Sequence, residues 1–380
     1  MAKTLNKLNP AGLRVVLVLQ GGGALGAYQA GVYHALHEHG LVPDWVVGTS
    51  IGAINAALLA GNPTEHRLAR LKQFWEKIAH PDSVDMARVP DQQRRNNIWL
   101  QTLDTVLRGV PGFFKPRMFS LFPAGMAVAP EDASFYETKE LADTLNQLVD
   151  FDYLNAAGGM RLTVNALKVS CGTLRSFDNR DLDIHADHIR ASGALPPGFP
   201  PVRIDGELYW DGGLYSNTPL ETVLDDNEHV DTLCFMVDLW SADGAEPTTM
   251  DEVQTRQKDV TFASRSQRHI EDYVAAHKMK QKLRELYKAL PDDAKNAESA
   301  KELAALGGGS TLHIVRLPYS GRDWHMPSKD INFSRGSIEW RWDQGYQDAQ
   351  RALTAAGWLT EVTEDTPLVV HELPPQVKAA

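Results

Sequence analysis

Arg14–Leu19 (RVVLVL) is a short continuous apolar run rich in β-branched residues, the mark of a strand buried on both faces. Three glycines follow. Ala24–His39 then carries apolar residues at helical spacing up to Gly40, a natural C-terminal stop. The pattern repeats at once, with Asp44–Val47 as a short strand and Ile51–Ala60 (IGAINAALLA) as an alanine-rich helix closed by Gly61. Strand, turn and helix, twice over, predict an α/β fold on a parallel sheet.

Further along, Thr64–Ile78 and Ala133–Val149 have helical spacing. Arg161–Val169 and Thr173–Phe177 read as a strand pair joined through Ser170–Gly172, and Thr232–Leu239 and Thr311–Leu317 read as buried strands. Asp251–Leu290 reads as one long helical stretch, with an apolar stripe of Val253, Val260, Ile270, Val274, Leu283, Leu286 and Leu290. Pro291–Ser310 reads as a surface linker, Ser334–Ala356 as a last helix, and the tail after Pro367 as loose. Gly109–Pro130 follows no period; prolines at 111, 116, 123 and 130 forbid a regular helix there.

Composition then narrows the classes of function. The chain has 380 residues, 43% hydrophobic and 23% charged, which is ordinary for a globular protein. Its net charge of −11 argues against a nucleic-acid partner, which calls for a basic face. No apolar run is long enough for a bilayer-spanning helix, and the start lacks a cleavage site of the secretory kind. Two cysteines, Cys171 and Cys234, sit in strand-like text and read as buried thiols, in keeping with a reducing cytoplasm. His185 and His188 share an H-x-x-H spacing without a matching ligand cluster, and read as surface histidines. With no calcium loop of the D-x-D-x-D-G type either, the chemistry is expected to need no metal and no cofactor.

Gly21-Gly22-Gly23-Ala24-Leu25-Gly26 fits G-x-G-x-x-G between a strand and a helix, the spacing of a dinucleotide-binding turn. Such a site also needs an acidic residue at the end of the second strand to hold the ribose. Here that strand runs out into Gly48-Thr49-Ser50, and Asp44 stands at its beginning, so a nucleotide-dependent oxidoreductase loses its second anchor. What remains is a set of backbone N–H groups at a helix N-terminus, ready for an anion: a phosphate, or the oxyanion of a tetrahedral acyl intermediate.

Gly48-Thr49-Ser50-Ile51-Gly52 is G-x-S-x-G at a strand-to-helix turn. A serine there projects its hydroxyl into the open, while residues two before and two after are crowded and must be small. The Ile51 N–H is placed to donate to an oxyanion, helped by the helix dipole. The plain alternative for Ser50 is a helix N-cap. An α/β-hydrolase would set more strands before the nucleophile than the two found here. A base has to come from elsewhere. Tyr209-Trp210-Asp211-Gly212-Gly213 places an aspartate after a short strand, and an Asp-Gly hairpin turn is the plain alternative.

In this order, GGGALG, GTSIG and DGG resemble the patatin-like phospholipases. Ala191–Val202 (ASGALPPGFPPV), Asn217 and Pro219 match the family's surroundings of its aspartate, so that the resemblance spans Gly12–Leu224. Thr311–Ala356 resembles a region of unassigned function that follows patatin domains in some bacterial proteins. The resemblance implies an α/β fold of three layers: a mostly parallel central sheet with helices on both faces, plus a helical C-terminal region. It divides the chain into an acyl hydrolase domain over 12–240 and an α-rich region over 250–370 packing on the same sheet.

For the site, the resemblance implies a Ser50–Asp211 dyad, an oxyanion hole at Gly21, Gly22, Gly23 and Ile51, and support from Gly26, Gly48, Gly52, Gly212 and Gly213. The implied activity is hydrolysis of a lipid ester, phospholipid or acylglycerol, through an acyl-enzyme. Acyl transfer and a catalytically silent binding protein are the alternatives. Leu25 stands where many members carry Arg or Lys, which leaves anion stabilisation to the backbone. Gly109–Pro130 reads either as an apolar cap touching the acyl chain or as a buried loop packing Phe113, Phe114, Phe119 and Phe122. Seven Lys/Arg against three acids between Arg265 and Lys288 read as a solvated helix face, with anionic headgroups as the alternative. The expected setting is cytoplasmic; peripheral contact with a membrane or lipid surface and the number of subunits are left open.

Overall fold

The computed structural model describes residues 7–9, 12–81, 103–117, 127–226, 228, 230–263, 266–295, 310–321, 328–359 and 368–373. Its elements begin β1 (Arg14–Leu19), α1 (Ala27–Glu38), β2 (Trp45–Gly48), α2 (Ile51–Ala60) and α3 (Thr64–Lys77). A short ribbon, β3 (Lys115–Pro116) with β4 (Tyr136–Glu137), stands apart from the main sheet. The main sheet is completed by β5 (Arg161–Lys168), β6 (Leu174–Asp178), β7 (Val202–Ile204), β8 (Glu207–Asp211), β9 (Thr232–Asp238), β10 (Leu312–Pro318) and β11 (Leu368–Glu372).

The strand order is β11-β10-β9-β1-β2-β5-β8-β7, with β6 also pairing β5. Strands β11 through β5 run parallel, and β6, β8 and β7 join antiparallel. Side chains alternate along β1: Val15, Leu17 and Leu19 enter the larger core beneath α1 and α2, while Val16 and Val18 enter a second core with Leu220 and Ile270. Helices therefore cover both faces, and the three layers expected from the sequence are present. The Arg335–Ala355 helix lies against α1 where two glycines meet: a Cβ on Gly31 would stand 1.9 Å from the Trp342 carbonyl oxygen, and one on Gly345 2.0 Å from that of Tyr28.

Register explains how distant segments reach one place. Leu19 of β1 pairs with Gly48 of β2, and Gly48 pairs with Val164 of β5. Two residues further along β5, Ala166 pairs with Asp211 of β8. The glycine loop after β1, the serine after β2 and the aspartate ending β8 thus all emerge at the carboxyl end of the central strands, the usual ligand side of a parallel sheet.

Several expectations are corrected. The tail expected to be loose after Pro367 begins instead with a strand, because Leu368–Glu372 pairs in parallel with β10; residues 374–380 lie outside the described residues. The stretch 251–290 is two helices, Met250–Phe262 and Ser266–Ala289, since the first ends at Ala263 in extended geometry. Its apolar stripe is partly on the wrong face: Val253, Val260 and Leu286 are exposed, whereas the polar Thr255 and Asp259 are buried. Cys171 is exposed in the turn between β5 and β6; only Cys234, inside β9, is buried. His188 is buried as well, because its ring accepts the His185 N–H at the start of the Ala186–Ser192 helix. The Asp-Gly hairpin lies at Asp205-Gly206 between β7 and β8, where both residues have positive φ, and not at Asp211.

Candidate active site

Ser50 sits at φ 57°, ψ −123°, a conformation that non-glycine residues rarely adopt. The elbow is tight enough to demand its glycines. A Cβ on Gly48 would lie 2.4 Å from the Gly52 carbonyl oxygen, and one on Gly52 2.2 Å from that of Leu19. Although Ser50 occupies the N-cap position of α2, its side chain caps nothing. The plain reading of this serine as a helix cap is thereby set aside. Its backbone N–H is held by Ser192 Oγ at 3.0 Å, which helps to fix the strained turn.

The Ser50 hydroxyl instead bonds to the Asp211 carboxylate. Asp211 is only 2% exposed. Its Oδ1 accepts the Gly213 N–H at 2.7 Å, and its own N–H donates to the Ala194 carbonyl at 3.0 Å. Burial pushes the carboxyl up to about 7, while the bonds from Ser50 and Gly213 pull the other way. Gly212 packs against the Asn165 carbonyl, which keeps the D-G-G element flush with β5.

The glycine loop faces this pair. Gly22, Gly23 and Ile51 line the same cavity as Ser50 and Asp211, and no acceptor among the described residues takes their N–H groups. Gly21 is a correction to the expected oxyanion hole. Its N–H donates to the Asn217 carbonyl at 3.1 Å, and its carbonyl accepts Asn217 Nδ2 at 3.1 Å and Trp240 Nε1 at 2.8 Å. Gly21 is therefore the anchored root of the loop. Gly26 packs on Ile51, closing the loop against the elbow.

A buried polar scaffold holds the loop from behind, and sequence reasoning missed most of it. Gln20 accepts the Trp240 N–H at 2.9 Å and donates to Thr218 Oγ1 at 2.7 Å, while its carbonyl takes Gln29 Nε2 at 2.6 Å. Asn55 links Gln29 to the Gly26 carbonyl at 3.0 Å each, and Trp75 Nε1 donates to Asn55 at 3.1 Å. The signal available in the sequence was a glutamine directly after an apolar strand, a buried position that a polar residue occupies only when its bonds are met.

The cavity has a volume of about 320 Å³ and a mainly apolar wall. Phe114 stands 5.1 Å from Phe199 and 5.0 Å from Tyr136, ring centre to ring centre, and Phe113 stands 5.9 Å from Phe333. Phe113 and Phe114 are buried, as the packed-loop reading has it, and they also line the cavity; Phe119 and Phe122 lie outside the described residues. No histidine lines the cavity among the described residues. Phe262, Asp330, Ile331 and Phe333 also contribute to its wall, although they lie far along the chain from the glycine loop, the elbow and the D-G-G element.

Comparisons with known proteins match most of the chain to a single family. A family model described as patatin-like phospholipase matches residues 17–224, more than half of the chain, and one described as patatin phospholipase matches 260–365. Patatin-like phospholipase domain-containing protein 6 of Homo sapiens is 29% identical over 211 residues, 55% of this chain and 12% of that protein. An uncharacterized NTE family protein of Mycobacterium tuberculosis is 28% identical over 219 residues, 57% of this chain and 29% of its own length. The chain thus spans only a fraction of the curated relatives it matches. Among solved structures, VipD from Legionella pneumophila aligns with 90% of this chain and 67% of its own, at 15% identity and a TM-score of 0.39. No helix among the described residues is long and apolar enough to cross a membrane. On the strength of the family match over residues 17–224, the chain belongs to the patatin-like phospholipase family.

Proposed function

We propose that the protein is a serine acyl hydrolase that cleaves lipid esters through a Ser50–Asp211 dyad. The observation that carries this reading is the strained, uncapped Ser50 bonded to a buried carboxylate whose pKa is near neutrality. An ordinary aspartate is a feeble base at about 3.9, and one moved to about 7 is matched to proton transfer at neutral pH.

In the first half-reaction Asp211 takes the hydroxyl proton as Ser50 Oγ forms a bond to the ester carbonyl carbon. The carbonyl π electrons move to oxygen, and the N–H groups of Gly22, Gly23 and Ile51 receive the oxyanion. Each such donor is worth about 10²–10³ in rate. When the tetrahedral intermediate collapses, the C–O bond to the alcohol breaks and Asp211 returns its proton to the leaving alkoxide. A water then attacks the acyl-enzyme with Asp211 as base, and the carboxylic acid leaves Ser50 restored. If an alcohol takes the place of that water, the same steps transfer the acyl group.

The apolar cavity supports a fatty acyl chain as the group bound, and phospholipids or acylglycerols as the substrate class. Activity inside a reducing cytoplasm, at a lipid surface, completes the reading. The test is labelling by a fluorophosphonate probe together with turnover of a chromogenic acyl ester. Wild type labels at Ser50, and Ser50→Ala abolishes both labelling and turnover. A folded wild type that neither labels nor turns over returns the protein to the silent binding class.

A further inference from the structure

We infer that Lys329–Phe333, a segment outside the motifs that carry the chemistry, selects which acyl groups the cavity accepts, and that Lys329 is its positioning residue. The inference rests on the acyl hydrolase reading. The segment touches both halves of the site. The Asp330 carbonyl oxygen packs on the oxyanion loop so closely that a Cβ on Gly23 would lie 2.2 Å from it. The next residues, Ile331 and Phe333, form part of the apolar wall, with Phe333 packed edge-on against Phe113.

Charge holds this segment in place. Lys329 is 3% exposed, and its Nζ donates to the buried Asp259 at 2.6 Å. The same ammonium lies 5.0 Å from the ring centre of Trp240, whose indole N–H anchors Gly21. Arg341, fully buried, donates to the carbonyls of Lys329 at 2.7 Å and Asn332 at 3.0 Å, bracketing Asp330 and Ile331. A buried ion pair is seldom more stable than well-packed apolar residues of the same volume. Its consequence here is geometric. Asp259 lies on the helix that ends at Phe262, so the Lys329–Asp259 bond sets two walls of one cavity, Phe262 and Phe333, relative to each other. It also explains why that helix turns its polar side inward.

The test uses the full chain and a series of p-nitrophenyl esters from acetate to decanoate. Ile331→Trp fills the cavity and lowers the decanoate-to-acetate ratio of kcat/KM by about tenfold or more, mainly through KM for decanoate. Ile331→Ala shifts the preference towards longer chains. Lys329→Met flattens the chain-length profile. The double substitution Lys329→Met with Asp259→Leu removes the unpaired carboxylate and recovers the melting temperature, but leaves the profile flat. Ratios within twofold of wild type in both folded Ile331 variants overturn the wall assignment. A double variant that regains the wild-type profile with its stability overturns the positioning role of Lys329. A wild type that cleaves no ester and fails to label at Ser50 refutes the hydrolase reading instead, and this inference falls with it.

Discussion

At the carboxyl end of the parallel strands, Asp211 is buried with neutral partners, the Ser50 hydroxyl and the Gly213 N–H. At the amino end, Asp226 lies between two guanidinium groups, Arg14 at 2.6 Å and Arg161 at 3.0 Å. Both carboxylates lose water, and burial raises both. At Asp226 the bonds and charges of the arginines outweigh that cost and hold the carboxyl below the usual range. At Asp211 nothing outweighs it, and the carboxyl rises to about 7. The amino end continues as a network, with Arg161 also bonded to Asp178 at 2.8 Å and its guanidinium 4.0 Å from the ring centre of Trp45. One residue type is thus held low where cations meet it and raised where they do not.

The largest effects belong to the carboxyl end. Asp211→Asn is expected to cost about 10³–10⁴ in turnover, since it removes the base while preserving the side-chain shape. In wild type, kcat/KM measured from pH 5 to 9 should climb with pH through about 7 and then level off. A flat profile would contradict the role given to Asp211. Gly23→Ala comes next, at about 10²–10³ in turnover, because Gly23 has φ +54° and its Cβ would strike the Asp330 carbonyl. Equal losses at both ends of the sheet, from Asp211→Asn and Asp226→Asn alike, would erase the contrast.

What could be read in the sequence follows the reach of the interactions. The glycine loop, the elbow and Asp211 each depend on neighbours within a few residues, so short spacings disclose them. The second wall of the cavity depends on Asp259 and Lys329, 70 positions apart, and no local pattern announces that bond. Hydrophobic spacing even pointed the Met250–Phe262 helix the wrong way, because an ion pair and a threonine, rather than valines, decide its buried face. Gly21 belonged to the expected oxyanion set by position, yet its N–H is consumed by Asn217, a partner known only once the strands are in register. β11 escaped notice because an edge strand of five residues after a proline has little periodicity to show.

Stability should reverse the ranking of the two ends with pH. A carboxyl raised in the folded state binds its proton there more tightly than in the unfolded chain. The stability it allows is therefore full below the unfolded value of 3.8 and is lost as pH rises to about 7. At 1.36 kcal/mol per unit the loss is about 4 kcal/mol. Urea titrations should find Asp211→Asn more stable than wild type at pH 8, and close to it at pH 4. A variant less stable at pH 8 would mean that the carboxylate is held by contacts the asparagine cannot reproduce.

Asp226→Asn is the smaller and opposite case. Its carboxyl is lowered on folding, so it contributes stability above 3.8 that is lost as pH falls through the folded value. The pair is only partly desolvated, with Arg14 and Arg161 side chains 13% and 16% exposed, so replacing the charge should cost about 1–3 kcal/mol at pH 7 rather than the larger figure of a fully buried pair. The difference from wild type should begin to shrink below pH 4, as the unfolded chain takes up a proton that the folded carboxyl still resists, and ester turnover at pH 7 should be unchanged because the network lies at the far end of the strands. Urea titration at pH 7 and at pH 3.5 with paired activity assays measures both quantities. A loss of turnover without a loss of stability would show that the amino end reaches the site through β1, and the division of labour between the two ends would have to be redrawn.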